Sequence, residues 1–213
     1  MKIIKKEIKS NQYYSQVHPK KIIVLHHTVS GDGVEGDVNW WNNTSEKVAT
    51  AYIIDRSGNI YQAFDDKYWA HHLGVTQSHL KSFKSTTTNQ RLNEISIGIE
   101  IDSWGGLTEK NKKWYNAVGK EMPLEKVIVL KKPYRGFRAF EKYTKEQIES
   151  VKELILHLNK KYGIKLDYFE NMFEYNEKAV KGYHGIWSHT SFRPDKSDIY
   201  PDEDLIKMLK SLK

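Results

Sequence analysis

Residues 22–27 read Ile-Ile-Val-Leu-His-His, with polar residues before them and Ser30-Gly31-Asp32-Gly33 after them. The β-branched and Leu-rich run predicts a buried strand closed by a turn. A strand that ends in two adjacent histidines is a strong constraint, because successive strand side chains point to opposite faces. Only one of His26 and His27 can therefore face a given site, while the other packs or orients a neighbour. A lone histidine is more often a satisfied structural group than a ligand, so this pair gains meaning only from partners elsewhere in the chain.

The chain supplies a sheet for that strand. Residues 51–55 predict a second strand, Arg56-Ser57-Gly58-Asn59 a turn, and residues 60–63 the returning arm of a hairpin. Residues 95–101 predict a third buried strand, in which Gly98 marks a close backbone approach. Residues 34–42 predict a short helix carrying Trp40 and Trp41. The clearest helix runs from Tyr143 to Tyr162, with apolar residues at 148, 151, 155, 158 and 162. Thr144 and Gln147 form its capping box and Gly163 ends it. A closing helix is predicted over 201–212. Strands alternating with helices predict an α/β fold. The stretch 103–143 reads as irregular and basic, an insertion within one domain that spans 1–213.

Composition narrows the chemistry. The 213 residues include no cysteine, which excludes disulfides, a Cys nucleophile and a Cys metal ligand. Any metal must be held by His, Asp or Glu. No apolar run is long enough to span a bilayer. The start, Met1 to Glu7, lacks the apolar core of a signal peptide, so neither membrane insertion nor signal-directed secretion is expected. The net charge of +7 suits polyanions such as nucleic acid, anionic lipid or an anionic cell wall. Lysine is spread along the whole chain, however, and a plain basic protein fits equally well.

A second histidine segment lies near the C-terminus, Ser188-His189-Thr190-Ser191-Phe192-Arg193-Pro194-Asp195-Lys196-Ser197-Asp198. His189 and Asp198 are nine residues apart, too far for one helical face, but a loop containing Pro194 can fold them together. Catalytic zinc takes three protein ligands and keeps one position open. One strand-end histidine with His189 and Asp198 meets that need, and Lys196 beside them would help hold an oxyanion. The bland alternative is a solvated loop with an ordinary ion pair. Glu100, near the end of the third strand, reads either as a general base or as an outward-pointing edge residue.

These segments together resemble the type 2 N-acetylmuramoyl-L-alanine amidases, the zinc amidase and peptidoglycan recognition family. Residues 23–28 are similar to the family's opening metal motif, whose first histidine is the ligand. Residues 49–62 resemble its second strand and hairpin. Trp69-Ala70-His71-His72-Leu73-Gly74 resembles its Trp-His-Ala-Gly segment, with His72 at the histidine position. Residues 93–100 match its Ser-Ile-Gly-Ile-Glu strand, and His189, Lys196 and Asp198 match its closing motif. The blocks occur in the family's order and cover about 20–102 and 144–212, leaving the 103–143 insertion without a counterpart.

The resemblance implies a mixed central β-sheet flanked by helices, with a zinc cleft on one face. It implies Zn²⁺ held by His26, His189 and Asp198, catalysis by Glu100 and Lys196, and substrate contact by His72, Trp69 and Thr50. Thr50 stands where some members carry a catalytic Tyr, which shifts proton transfer to Glu100. Ile199 follows Asp198 where many members have Pro. The implied reaction is hydrolysis of the amide between N-acetylmuramic acid and L-alanine in peptidoglycan. Trp40, Trp41, Trp69 and Trp104 read either as a glycan groove or as core.

The expected partner is peptidoglycan alone, with no nucleic acid, and the expected state is a monomer. The expected setting is a phage or prophage lysin, cytoplasmic until released onto the wall; a cytoplasmic recycling amidase is the alternative. The rival functions are a non-catalytic peptidoglycan-binding module, a nucleic-acid binder and a zinc peptidase of the stem peptide. Recognition-only members usually lose the third ligand and the Glu, and both are present here.

Overall fold

A computed structural model describes residues 1–212. In chain order the strands are β1 (Ile3–Lys5), β2 (Ile22–His27), β3 (Tyr52–Ile54), β4 (Ile60–Gln62), β5 (Ser96–Ile101), β6 (Gly106–Lys110), β7 (Lys113–Tyr115), β8 (Val127–Tyr134), β9 (Phe137–Glu141) and β10 (Gly185–Ser188). The helices are α1 (Glu35–Asn43), α2 (Gln77–Ser82), α3 (Asn89–Ile95), α4 (Lys145–Tyr162), α5 (Glu177–Val180), α6 (His189–Phe192) and α7 (Glu203–Lys210). No helix among the described residues is long and apolar enough to cross a membrane.

The central sheet has the order β1-β4-β3-β5-β2-β10. β3, β5, β2 and β10 run parallel, and β4 returns antiparallel to β3. The unbroken apolar reading of β2 follows from its place inside this sheet. α3 packs on β5, α4 on β3, and α6 on β2 and β10, so Ile22, Ile23, Val24 and Leu25 are fully buried. Each such side chain contributes about 1.5–3 kcal/mol by leaving water.

The long helix α4 forms for the reasons its sequence gives. Thr144 accepts from the Gln147 N–H, and the Gln147 side chain accepts in return from the Thr144 N–H. Gly163 closes the helix in a left-handed conformation at φ 66°. Val151, Leu154, Ile155 and Leu158 form its buried stripe. Gln147 has a second use, since its amide donates to the Asp102 carbonyl at 2.8 Å and so ties α4 to the end of β5.

The stretch expected to be irregular is a second sheet. β7-β6-β9-β8 pair antiparallel around a small core of Leu107, Trp114, Met122 and Ala139. Alternate residues serve different cores: Ala139 faces the small one, while its neighbour Phe140 is fully buried in the main one. Phe140 and Tyr143 both stack on Tyr200, with ring centroids 4.4 and 4.8 Å away. Arg56, in the β3–β4 turn, binds Glu141 with two hydrogen bonds of 3.0 and 2.7 Å. Its third nitrogen lies 2.6 Å from the buried Asp102 carboxylate.

That ion cluster predicts a pH-dependent defect. Burial raises the Asp102 carboxyl to about 6, against the pull of Arg56. A raised carboxyl binds more protons in the folded state than in the unfolded one, so between about pH 4 and 6 its contribution to stability falls as pH rises. Arg56→Met strands two buried carboxylates and should cost about 3–5 kcal/mol at pH 7. Urea unfolding should show a smaller loss at pH 5, where Asp102 can protonate. An equal loss at both pH values would contradict this account.

Candidate metal centre and cleft

Register builds the site. In the β2–β5 pair His26 lies beside Glu100 and His27 beside Ile101, so His26 and Glu100 share one face and His27 takes the other. β10 pairs Ser188 with Leu25. His189, the next residue and the first of α6, is therefore level with His26. Asp198 is brought back by its own backbone: its carbonyl accepts from Thr190 N–H at 2.9 Å and from Thr190 Oγ1 at 3.0 Å.

The result is a buried group of His26, His189 and Asp198 whose candidate ligand atoms lie within 4.8 Å of one another. Asp198 Oδ2 is 3.2 Å from His26 Nδ1 and 2.9 Å from His189 Nδ1. Ligand atoms around a tetrahedral zinc stand about 3.3 Å apart, given bonds near 2.0–2.2 Å. Hydrogen bonding supports the fit. His189 Nε2 lies 3.0 Å from the Leu73 carbonyl, an acceptor only, so this nitrogen carries the proton. The other nitrogen, Nδ1, is then free to offer its lone pair to a metal ion shared with the Asp198 oxygen 2.9 Å away.

The second partner of His26 is His72. Its Nδ1 lies 3.0 Å from His26 Nε2, and its Nε2 lies 2.8 Å from Ser96 Oγ. Burial, then repulsion from His189, lowers the His26 ring to about 4 despite Asp198. Burial, then His26, pushes His72 well below the usual imidazole value. Both rings are thus neutral at pH 7. Burial pushes the Asp198 carboxyl up, but the His189 and His26 imidazoles outweigh it and hold it well below the carboxylate range.

Glu100 lines the cleft with one carboxyl oxygen, Oε2, that is buried and has no hydrogen-bond partner among the described residues. Burial, then Asp198 and Asp37, holds its carboxyl well above the usual range. Lys196 lines the same cleft. His27, on the far face, has its Nδ1 3.1 Å from the Tyr143 hydroxyl. Gly105, at φ 65°, packs against its Nε2; a Cβ there would come within 2.5 Å.

Of the residues expected to touch substrate, His72 and Thr50 line the main cleft and Trp69 does not. Both ring nitrogens of His72 are engaged inside the protein. The Thr50 hydroxyl donates to the Tyr52 carbonyl at 3.0 Å. Trp69 is buried beneath Tyr14, with ring centroids 4.0 Å apart, and lines a smaller neighbouring pocket outside the main cleft. Sequence reasoning missed Leu73 and Ser96 as orienting groups. Leu73 acts through a backbone carbonyl, which no side-chain motif reveals.

The fold and the site together define a mixed α/β chain with a metal-competent His–His–Asp centre on the floor of an open cleft. The family model described as N-acetylmuramoyl-L-alanine amidase matches residues 16–201, and the chain belongs to that family of hydrolases. No curated protein sequence matches it significantly. Among solved structures it is similar to PlyL, at 15% identity and a TM-score of 0.57, covering 100% of this chain and 98% of that one. A mutant endolysin from Bacillus subtilis matches at 16% and 0.54, covering 100% and 96%. The N-acetylmuramoyl-L-alanine amidase LysC from Clostridium intestinale matches at 14% and 0.51, covering 99% and 98%. At such identities the likeness is one of fold.

Close packing around His72 can be tested. Gly98 lies on the His26 face of β5, and a Cβ there would stand 2.7 Å from Thr50 Cγ2 and 3.0 Å from His72 Nδ1. Gly98→Ala should cost about 1–3 kcal/mol by overpacking. Thr50→Ser in the same chain removes Cγ2 and should recover part of that loss in urea unfolding. Additive losses would show that the crowding is elsewhere.

Proposed function

We propose that the chain is a zinc-dependent amidase that cuts peptidoglycan between N-acetylmuramic acid and L-alanine, with a phage or prophage lysin as its setting. The observation that carries this is one cleft holding both the His26/His189/Asp198 cluster and the unpartnered Glu100 carboxyl. Zinc on the three ligands would polarise the amide carbonyl and make water more acidic. The Glu100 carboxylate takes the proton of the attacking water and returns it to the leaving amine. Its raised basicity suits that exchange. The Lys196 ammonium lies in the same cleft to face the oxyanion. Endolysin and amidase neighbours of the same fold support the setting.

His72 takes the role of a positioning residue in this reading. For His26 Nδ1 to offer its lone pair, His26 Nε2–H must donate to His72 Nδ1. His72 Nε2–H then donates to Ser96 Oγ, whose hydroxyl lies 3.4 Å from the Asn93 carbonyl. The chain of acceptors fixes the tautomer of the ligand.

Glu100→Gln should lower muropeptide release from sacculi by about 10²–10⁴-fold while metal content stays unchanged. Retained activity in the zinc-loaded variant removes Glu100 from the mechanism, and wall binding without chelator-sensitive cleavage by wild type sinks the enzyme reading. His72→Leu should weaken zinc about 10–100-fold in chelator competition. His72→Asn keeps an acceptor near Nδ1 and should stay close to wild type.

A further inference from the structure

The cleft at the cluster has a volume of about 1240 Å³, and two kinds of residue line it. Tyr14, Lys47, His71, Asn89 and Arg193 are polar. Val29, Trp40, Trp104 and Val118 are apolar. Val29 follows β2, Trp40 stands on α1, and the last two come from the 103–143 segment. Trp104 packs against Gly31, two residues after Val29, 3.6 Å from where a Cβ there would lie. The Trp104 N–H is pinned at 2.6 Å by Glu141, the carboxylate that Arg56 holds.

These side chains are exposed at a cost that folding does not explain. Trp40 is 59% exposed, Val118 71% and Val29 46%, so three of the nine large exposed hydrophobics among the described residues line this one cleft. The next residue, Trp41, also lines the cleft but is buried at 5%, so of the two tryptophans of helix α1 only Trp40 is exposed. Val29 also holds φ 55°, a left-handed backbone that β-branched residues avoid. Contiguous exposed apolar surface and local strain both mark ligand sites.

We propose that Trp40, Trp104 and Val118 form the subsite for the sugar side of the scissile bond, and that the 103–143 segment supplies two of these three residues. This rests on the amidase reading above. That reading places the amide at the cluster, with a pyranose ring to one side and a peptide to the other. A pyranose ring offers an apolar C–H face that stacks on an exposed indole, with its hydroxyls left to water. The stem peptide, with its carboxylates and amides, suits the polar lining residues Lys47, Asn89 and Arg193.

The test compares wild type, Trp40→Ala and Val118→Asp. Both positions are exposed, so thermal melts should match wild type. Calorimetry with the peptide-free GlcNAc–MurNAc disaccharide should show binding to wild type and at least tenfold weaker binding to either variant. Hydrolysis is then measured on a disaccharide-bearing muramoyl peptide and on the same peptide carrying only the lactyl group. Trp40→Ala should raise KM and lower kcat/KM at least tenfold on the first substrate and leave the second within twofold. Unchanged disaccharide binding in the variants, no binding by wild type, or equal losses on both substrates overturns the sugar subsite. Disaccharide binding that Trp40→Ala abolishes, in a zinc-loaded wild type that cleaves neither substrate, keeps the subsite and removes the amidase reading instead.

Discussion

One carboxylate oxygen, Asp198 Oδ2, faces Nδ1 of both His26 and His189. Two imidazole lone pairs and a carboxylate repel one another unless a cation sits among them. The far nitrogen of His189 is committed to the Leu73 carbonyl, and that of His26 to His72. The protein has thus spent its hydrogen-bonding capacity on the outer side of each ring, and the inner side is left for a positive charge. Burial adds to the preference by disfavouring protonation of His26, which suits the cluster to a metal ion at neutral pH.

Sheet geometry delivers these groups to one place. Parallel pairing of β2 with β5 and β10 brings His26, Glu100 and His189 to the same end of three adjacent strands, and ligands gather at the carboxyl ends of parallel strands. A one-residue slip in β2 would bring His27 to that face and send His26 to the other. Full burial of Ile22 to Leu25 holds the register against such a slip. Gly98 then matters as a missing side chain. It opens the space on this face in which His72 reaches His26.

Elements with a long periodic or capped signal were legible in the sequence: β2, the β3–β4 hairpin, β5, α4 and α7 fall where patterning puts them. The choice of His26 over His27 depended on resemblance, and strand alternation alone left it open. Other features depend on contacts between distant segments. Trp69 reads equally as groove or core until Tyr14 is seen stacked on it. The Thr50 hydroxyl and the His72 ring look available until the Tyr52 carbonyl and Ser96 are found beside them. The small sheet was missed because β6, β7 and β9 are five residues or shorter. Alternate residues of β9 also serve two different cores, which hides a period of two.

The small sheet is not a module hung on a finished domain. Phe140 and Tyr143 complete an aromatic stack with Tyr200, two residues beyond Asp198. Tyr143 meets His27, the neighbour of His26, and Gly105 closes over the same ring. Glu141 neutralises Arg56 and fixes the backbone of Trp104. Removing the segment would therefore expose the back of the His26 cluster and leave Arg56 with only part of its counter-charge. A segment tied to the core at these points holds its cleft-facing residues in place. Rigidity lowers the ordering cost of binding, which apolar contacts that recognise a ligand by shape depend on.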